Sequence, residues 1–249
     1  MSSSPQFIVV IPARYDSQRL PGKPLADICG RPMIAWVYAQ AGRSAAAETI
    51  VATDDERIVT ACKKFGARAM LTDRGHASGT DRINEIAARL GWDDNQIVVN
   101  VQGDEPLIPP AVIDQVATLA ADHANAAVAT LITPIANRAE QQDSNIVKVV
   151  ADRHGQALYF SRAVIPSPCE TASSYGFRHI GVYAYRVGAL REIAAAEPCE
   201  LERIERLEQL RVLWLGLKIV TAVAVAKPPR GVDTREDLDA ARALIAQQR

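Results

Sequence analysis

An apolar segment near the N-terminus, followed by a basic loop, constrains the fold more than any other part of this chain. Residues 7–11 are all apolar, which is typical of a strand buried on both faces in a parallel sheet. The chain then breaks at Pro12 and brings three cations close together, Arg14, Arg19 and Lys23. Because ligands of open α/β sheets bind at the carboxyl ends of strands, cations at this position predict a polyphosphate site.

The basic loop matches neither common phosphate-binding motif. It contains no G-x-G-x-x-G, and Pro24 follows Lys23 where a P-loop requires Ser or Thr. Charged side chains, more than a glycine-rich backbone, would therefore have to bind the phosphates. A solvated basic loop is the alternative, but the buried strand before it and the Pro and Gly residues within it favour phosphate binding.

The composition indicates a globular protein without a nucleic-acid-binding surface or a disulfide framework. The 249 residues suit one large α/β domain, or a domain with a small subdomain, and the net charge is only −1. The four cysteines contain no C-x-x-C pair, as expected for reduced thiols in a cytoplasmic protein. Residues 7–11 are too short a run for a signal peptide or a membrane span, so we expect no membrane insertion.

Strand-like and helix-like segments alternate in the first half of the chain, which predicts a mostly parallel sheet with helices on both faces. The predicted strands there cover 7–11, 49–53, 69–72 and 97–101, and the predicted helices cover 54–65, 80–90 and 109–123. After residue 126 strands dominate, which predicts a smaller mixed or antiparallel extension. The later predicted strands cover 127–135, 146–151, 157–161, 180–185 and 218–226, and the later helices cover 187–196, 201–215 and 234–247.

Two aspartates are candidate magnesium ligands. Asp104 follows the predicted strand 97–101 directly, so its carboxylate should lie at the same sheet edge as the basic loop. An ordinary Gly-Asp turn explains it equally well. Asp233 precedes the last predicted helix, and Glu236 three residues later favours a capping box. If Thr234 caps this helix instead, the Asp233 carboxylate is available for a metal.

Two further segments allow both a structural and a binding role. Ser78 and Gly79 precede a helix that Thr80 could cap, with Arg82 in solvent. Their backbone groups could instead select a pyrimidine base. In the strand 178–186, His179 and Tyr183 share one face about 13 Å apart and could line opposite ends of a pocket. A buried aromatic face at a subunit contact is the alternative for this strand.

The predicted helix 201–215 has a threefold repeat of apolar residues that predicts a core stripe. That stripe consists of Leu201, Ile204, Leu207 and Leu210. Glu208 and Gln209 beside it are polar residues of a kind that helices usually expose to solvent. Arg162, just after another predicted strand, is compatible with a surface position.

The loop Pro12-Ala-Arg-Tyr-Asp-Ser-Gln-Arg-Leu-Pro-Gly-Lys-Pro-Leu25 resembles the N-terminal motif of the 3-deoxy-manno-octulosonate cytidylyltransferases, also called CMP-Kdo synthetases. Further segments match along most of the chain: VNVQGDEP at 99–106, SGTDR at 78–82, YFSR at 159–162, RHIGVYAYR at 178–186, LEQLRVLW at 207–214 and GVDTREDL at 231–238. The resemblance implies a Rossmann-like nucleotidyltransferase fold in one domain. It also implies magnesium-dependent transfer of CMP from CTP to Kdo, for lipopolysaccharide assembly, by a homodimer.

The same resemblance implies roles for individual residues. The catalytic group would be Lys23, Arg14 and Asp104, and the metal ligands would be Asp104 and Asp233. Nucleotide contacts are implied for Ala13, Arg14, Lys23, Ser78, Gly79, Arg82 and Asp104. Sugar contacts are implied for Gln102, Arg162, His179, Tyr183, Glu208 and Gln209. Residues 1–126 would mainly bind nucleotide, 127–217 would mainly bind sugar and dimerise, and 218–249 would close the domain.

One segment departs from the family pattern and leaves two alternatives. After Ile165-Pro166 the family usually continues with an aromatic residue, whereas this chain has Ser167 and a run of small and polar residues. The role of 166–176 and the exact acidic sugar are therefore open, with an amino derivative of Kdo or a sialic acid as alternatives. Sialic-acid enzymes typically open with A-R-G-G-S-K-G-x-P, unlike this chain. A non-catalytic nucleotide-sugar binder is a further alternative, which the presence of both Asp104 and Asp233 argues against.

Overall fold

The computed structural model describes residues 5–16, 19–168 and 174–247, and within them one nine-stranded sheet dominates the architecture. The strands are β1 (Phe7–Ala13), β2 (Asp27–Ile28), β3 (Arg31–Pro32), β4 (Glu48–Thr53), β5 (Ala69–Leu71), β6 (Ile97–Asn100), β7 (Val128–Pro134), β8 (Lys148–Ala151), β9 (Ala157–Ser161), β10 (Phe177–Arg186) and β11 (Ile219–Val223). The helices are α1 (Met33–Ala41), α2 (Glu56–Lys64), α3 (Gly79–Arg89), α4 (Pro110–Asp122), α5 (Arg138–Gln142), α6 (Val187–Ala195), α7 (Glu200–Glu205), α8 (Gln209–Trp214) and α9 (Arg235–Gln247). A 3₁₀ turn covers Lys23–Leu25.

The central sheet is mostly parallel and runs in the order β11-β7-β10-β6-β1-β4-β5. Strands β1, β4, β5 and β6 are parallel to one another, and β10 is inserted antiparallel between β6 and β7. An antiparallel pair, β8 and β9, extends the sheet from β10. The predicted mostly parallel sheet with a smaller mixed extension is therefore confirmed.

Both faces of the sheet are covered, because side chains alternate along each strand. From β1, Phe7 and Val9 pack against α1, α2 and α4, whereas Ile8 and Val10 enter the core on the other face with α3, α6 and α8. This explains why the first strand has no polar residue. None of the helices among the described residues is both long and apolar enough to cross a membrane.

A third, smaller core lies beside the basic loop. Leu238 and Ile245 of α9 pack there against Ile28 of the hairpin β2–β3 and Met33 of α1, and Val232 joins the same cluster. The cluster therefore places the residue after Val232, which is Asp233, close to the 3₁₀ turn that bears Lys23.

The prediction of one continuous helix over 201–215 is wrong. The chain forms two short helices, α7 and α8, separated at Arg206, which adopts a left-handed conformation with φ 55°. As a result the predicted core stripe is interrupted: Leu207 and Leu210 are buried, but Ile204 is 68% exposed. The break directs the residues after it, including Glu208 and Gln209, toward the sheet.

Two features of the sequence fall partly outside the described residues. Cys62 and Cys199 are free thiols, Sγ of Cys29 donates to the carbonyl oxygen of Arg242, and Cys169 lies outside the described part of the chain. The segment 166–176, which departs from the family pattern, is described only at 166–168 and 174–176. Its role stays a prediction.

Candidate active site

A cavity of about 570 Å³ opens beside the carboxyl ends of β1 and β6, and we call it the loop cavity. It is lined by the basic loop on one side and by the N-terminus of α3 and residues of α7 on the other. Six of the seven predicted nucleotide contacts line it: Ala13, Arg14, Lys23, Ser78, Gly79 and Asp104. The sequence therefore placed these six residues at one cavity, and their roles as nucleotide contacts stay a prediction.

Gly103 allows the floor of the loop cavity to be compact. A Cβ atom at this position would lie 2.8 Å from the backbone oxygen of Pro12, closer than real Cβ contacts occur. The turn after β6 can therefore pack directly onto the end of β1 only with glycine there. This close approach brings Asp104 next to the basic loop.

Lys23 bridges the two predicted metal ligands. Its Nζ lies 2.6 Å from Oδ2 of Asp104 and 3.1 Å from Oδ1 of Asp233, although 210 positions separate Lys23 from Asp233. Arg19 also approaches Oδ1 of Asp233, at 3.0 Å. Burial acts to lower the pKa of Lys23, but the two carboxylates outweigh it, so the pKa lies above its ordinary value. Lys23 is therefore a cation at neutral pH.

Thr234, and not Asp233, caps the last helix. Oδ2 of Asp237 accepts hydrogen bonds from the N–H groups of Asp233 and Thr234, at 3.1 and 2.9 Å, and the Asp237 N–H donates to Oγ1 of Thr234. The predicted capping box with Glu236 is wrong, because Asp237 stands in its place. The Asp233 carboxylate is consequently free to face Lys23 and Arg19.

The Asp104 and Asp233 carboxylates suit a hard divalent cation. Both are oxygen donors, and both already bind one cationic group, the Lys23 ammonium. Within the described residues no set of three or more His, Cys, Asp or Glu side chains forms a complete metal site. A two-carboxylate site fits magnesium, which usually takes its remaining ligands from water and substrate phosphates.

Ser78 caps α3, whereas the sequence suggested Thr80. The Ser78 N–H donates to Oδ2 of Asp81 at 2.9 Å, and the Asp81 N–H donates to Oγ of Ser78 at 3.1 Å. The Ser78 amide is therefore already bonded within the chain. The Gly79 N–H, one of the first-turn donors without an intrahelical partner, stays available to a ligand in the loop cavity.

Arg82 is buried beneath the start of α3 and does not reach the loop cavity. Its side chain is 0% exposed, and its guanidinium donates to Oδ2 of Asp54 at 2.9 Å and to Oγ1 of Thr72. It does not line the loop cavity. A solvated Arg82 is thus contradicted, and its role as a nucleotide contact stays a prediction. The bonds that we observe hold the start of α3 against the ends of β4 and β5.

A small pocket of about 70 Å³, the inner pocket, lies behind the loop cavity. Tyr183, Glu208, Gln209 and Gln102 line it, and Gln102 and Glu208 also line the loop cavity. Burial raises the pKa of Glu208 despite hydrogen bonds from Thr80 and Ser78. Four of the six predicted sugar contacts therefore converge beside the predicted base-binding segment.

A third cavity, of about 480 Å³, contains four arginines, and we call it the arginine cavity. Its cationic lining residues are Arg19, Arg162, Arg178 and Arg230. Asp104 lines both this cavity and the loop cavity, so the two meet at its carboxylate. Burial, together with the charge of Asp104, raises the pKa of Glu105 on its wall to about 8. Four acidic residues, Asp104, Glu105, Asp233 and Asp237, also line the cavity, and Arg19, Arg178 and Arg230 are paired with carboxylates. Among the salt bridges of the described residues, none joins the Arg162 guanidinium to a carboxylate side chain, so this guanidinium is the group best suited to a carboxylate-bearing ligand.

His179 and Tyr183 contact each other, which contradicts the prediction that they line opposite ends of a pocket. Their ring centroids are 5.2 Å apart, and His179 Nε2 lies 2.9 Å from Oγ1 of Thr130. The pairing of β10 with β7 shifts between Ile180 and Tyr183, so the strand is bulged at this point. Burial lowers the pKa of His179 to about 3, so its imidazole is neutral at physiological pH.

Several residues that line the two larger cavities were not predicted as site residues, although some of them are next to predicted ones in the sequence. Arg178 precedes His179, Glu105 follows Asp104, and Arg230 lies in the segment that ends in Asp233. Arg203 and Arg206 line the loop cavity because of the chain break between α7 and α8. Only the first group could have been inferred from proximity to a motif.

Comparisons with known proteins agree with this geometry. A family model described as cytidylyltransferase matches residues 8–219. A 3-deoxy-manno-octulosonate cytidylyltransferase of Pseudomonas fluorescens is 54% identical, covering 98% of this chain and 99% of its own. The corresponding protein of Vibrio cholerae is 52% identical over 97% of this chain and 98% of its own.

Solved structures give the same result at the level of the fold. A CMP:2-keto-3-deoxy-manno-octonic acid synthetase complexed with CTP superposes with a TM-score of 0.92 at 42% identity, over 98% of this chain and 100% of the other. A 4-diphosphocytidyl-2C-methyl-D-erythritol synthase, at 16% identity and a TM-score of 0.65, shares the fold alone. The chain therefore belongs to the cytidylyltransferase family, as a nucleotidyltransferase of the 3-deoxy-manno-octulosonate cytidylyltransferase group.

Proposed function

We propose that this enzyme transfers CMP from CTP to Kdo, releases pyrophosphate and requires magnesium. The observation that supports this best is the position of Asp104, whose carboxylate lies where the loop cavity and the arginine cavity meet. A triphosphate among the cations of the loop cavity would meet at this point an acidic sugar that directs its carboxylate into the arginine cavity and its hydroxyl groups toward the inner pocket. The names of the relatives supply the two substrates.

The reaction needs positioning and charge neutralisation more than a dedicated base. The sugar hydroxyl loses its proton to water as its oxygen forms a bond to the α-phosphorus of CTP, the bond from that phosphorus to the bridging oxygen breaks, and pyrophosphate leaves. Lys23 and Arg14 neutralise charge on the phosphates in the loop cavity. Asp104 and Asp233 would hold magnesium, which supplies Lewis-acid polarisation and favours deprotonation of a bound hydroxyl.

The first turn of α3 provides the recognition of cytosine in this proposal. Gly79 lines the loop cavity, and the Ser78–Asp81 capping box fixes the turn that carries its amide. A Cβ atom at Gly79 would approach the Pro12 ring at 3.2 Å, so the turn lies tightly against the end of β1. A cavity bounded in this way favours the smaller pyrimidine over a purine.

A pyrophosphate-release assay tests the proposal directly. The wild-type enzyme, CTP and magnesium are combined with Kdo, with an amino derivative of Kdo, or with a sialic acid. We expect rapid release with Kdo and CTP, and little release when ATP, GTP or UTP replaces CTP. Faster turnover with one of the other acidic sugars would reassign the substrate, and absence of turnover with every sugar would favour a non-catalytic binder.

Tyr183 and His179 should affect use of the sugar and not of CTP. Tyr183→Phe removes one neutral hydroxyl from the inner pocket, so we expect a loss of about 0.5–1.5 kcal/mol in sugar kcat/KM, or roughly two- to tenfold. His179→Ala should weaken sugar use further, since it also removes the contact with Tyr183. Steady-state titration of each substrate against both variants gives the measurement.

The alternative for this strand predicts a different result. If His179 and Tyr183 serve only a buried structural contact, both variants would melt at a lower temperature or change oligomeric state. The KM for the sugar in the remaining folded enzyme would then equal that of the wild type. This result would remove both residues from the sugar site.

A homodimer is also part of the proposal, and β9 with α8 offers the surface for it. Helix α8 packs on β9, which pairs only with β8 among the described strands. Leu158 on β9 is 55% exposed, and Trp214 at the end of α8 is 59% exposed. Exposed apolar side chains next to an open strand edge favour association with a second copy. A cytoplasmic location stays a prediction from the sequence.

Trp214→Glu should weaken this dimer. Loss of a central aromatic contact costs about 2 kcal/mol or more, so the dimer dissociation constant should rise on the order of thirtyfold. Sedimentation of the wild type, of Trp214→Glu and of Leu244→Glu on α9 provides the measurement and its control. An unchanged mass for Trp214→Glu, or an equal shift for the control, would place the interface elsewhere.

A further inference from the structure

Lys148 is a buried lysine to which the proposed reaction gives no role. It lies at the start of β8 with 0% of its surface exposed. Its Nζ donates to three backbone carbonyl oxygens: Ile146 at 2.7 Å, Asp143 at 2.9 Å and Arg162 at 2.6 Å. An ammonium group has three N–H donors, so all of them are used within the chain.

The three carbonyl groups belong to two segments of the arginine cavity wall. Asp143 and Ile146 lie in the turn between α5 and β8, and Asn145 and Ile146 of this turn line the cavity. Arg162 follows β9 and also lines it. Lys148 therefore connects the two segments from behind the surface that faces a ligand.

The Arg162 side chain depends on the same framework. The backbone N–H of Arg162 donates to Oε2 of Glu205, and Nε of its side chain donates to the carbonyl oxygen of Glu205, both at 2.9 Å. Its Nη1 donates to the carbonyl oxygen of Ser144 at 3.3 Å, within the turn that Lys148 holds. A shift of that turn would thus change the guanidinium position as well as the backbone of Arg162.

Stability alone does not explain a charged side chain at this place. Moving an ammonium group out of water is costly, and burial lowers the pKa of Lys148. An apolar side chain of similar length often stabilises a core as well as a buried ion does. Three directed hydrogen bonds, in contrast, fix the relative position of two segments, which packing of an apolar chain would not do.

On the basis of the proposed function, we propose that Lys148 is a positioning residue for the acidic sugar. By bonding the carbonyl groups of Asp143, Ile146 and Arg162, it holds the 143–146 turn and the Arg162 guanidinium in the arrangement that binds the sugar. It does not itself contact the substrate.

Lys148→Met tests this proposal, because it keeps the length of the side chain and removes all three donors. A displacement of about 1 Å in a binding group can lower activity on the order of a hundredfold. We expect the sugar KM to rise at least about tenfold, while the CTP KM stays within about twofold of the wild type. Lys148→Gln retains donors and should give a sugar KM between those of the wild type and Lys148→Met.

Two control variants separate positioning from general destabilisation. Val116→Ala removes buried apolar volume from α4, and Lys63→Met removes an exposed charge from α2. Both should leave the two KM values unchanged, even where Val116→Ala lowers the melting temperature. The split between the two substrates is a property that a merely structural lysine would not show.

Other outcomes would overturn the proposal. Equal changes in both KM values, or a lower melting temperature with unchanged kinetics, would make Lys148 a structural residue only. Failure of both Lys148 variants to fold would lead to the same conclusion. A wild-type enzyme without turnover on any acidic sugar would instead refute the proposed function, and that result is obtained before any variant is measured.

Discussion

Asp104→Asn should reduce turnover on the order of a thousandfold or more, with the fold intact. A bound metal ion contributes several kcal/mol to stabilising charge in the transition state, each 1.36 kcal/mol corresponds to a factor of ten, and loss of a ligand carboxylate would weaken binding of that ion. Asparagine has the same shape and keeps the backbone carbonyl that accepts the Val232 N–H at 2.8 Å. The change therefore removes the charge that the loop cavity and the arginine cavity share.

The measurement is single-turnover pyrophosphate release, made across a range of magnesium concentrations. Asp122→Asn, on the exposed end of α4, is the matched control and should behave as the wild type. We expect Asp233→Asn to be impaired similarly, since the Asp233 carboxylate does not cap α9. A near-normal rate at saturating magnesium in either variant would remove that residue from the metal site.

Local patterns in the sequence were sufficient to predict the sheet and the position of the basic loop at its edge, whereas most of the residue roles came from the family resemblance. The apolar composition of residues 7–11 alone indicates a buried strand. The cations after this strand were expected at the sheet edge because they follow its carboxyl end. The position of Asp104 was predictable in the same way, because it follows a strand directly, whereas the spacing around Asp233 favoured a helix cap and only the family resemblance implied a metal ligand there. The contact of Asp233 with Lys23, 210 positions apart in the chain, depends on the third core cluster, which the sequence did not predict.

Features that depend on tertiary packing were not predictable from spacing. The repeat at 201, 204, 207 and 210 fits one helix, yet the chain breaks at Arg206 and leaves Ile204 in solvent. Helical periodicity reports a preference of the local chain, and it does not report where tertiary packing interrupts a helix. The residues that the break brings to the loop cavity, Arg203 and Arg206, had no signal in the sequence.

The contact between His179 and Tyr183 was missed for a similar reason. Alternation along a strand correctly placed both on one face, opposite Ile180 and Val182. Their separation was derived from an ideal strand, whereas β10 is bulged between Ile180 and Tyr183. Capping residues were ambiguous because Ser78, Thr80, Asp233 and Thr234 are all suitable types, and only the hydrogen bonds distinguish them.

Lys23→Met should lower kcat/KM on the order of a hundredfold or more, the effect of losing one electrostatic donor to the transition state. Methionine preserves the length of the side chain, and the 3₁₀ turn is held by backbone bonds of Leu25 to Gly22 and of Ala26 to Lys23. The fold should therefore persist. Arg43→Met, at an exposed position after α1, is the control variant.

The same variant should have the opposite effect on metal binding without nucleotide. In the structure, Lys23 Nζ lies between the carboxylates of Asp104 and Asp233, at 2.6 and 3.1 Å, where its charge opposes a divalent cation. We therefore expect Lys23→Met to bind Mn²⁺ more tightly than the wild type when CTP is absent, measured by calorimetry, although it turns over more slowly. Weaker Mn²⁺ binding by the variant would mean that the two carboxylates do not form the metal site.

A rise in the KM for CTP with kcat unchanged would show that Lys23 binds ground state and transition state equally. General damage to the fold would weaken both catalysis and metal binding. Slower chemistry together with tighter metal binding would therefore isolate the role of the Lys23 charge.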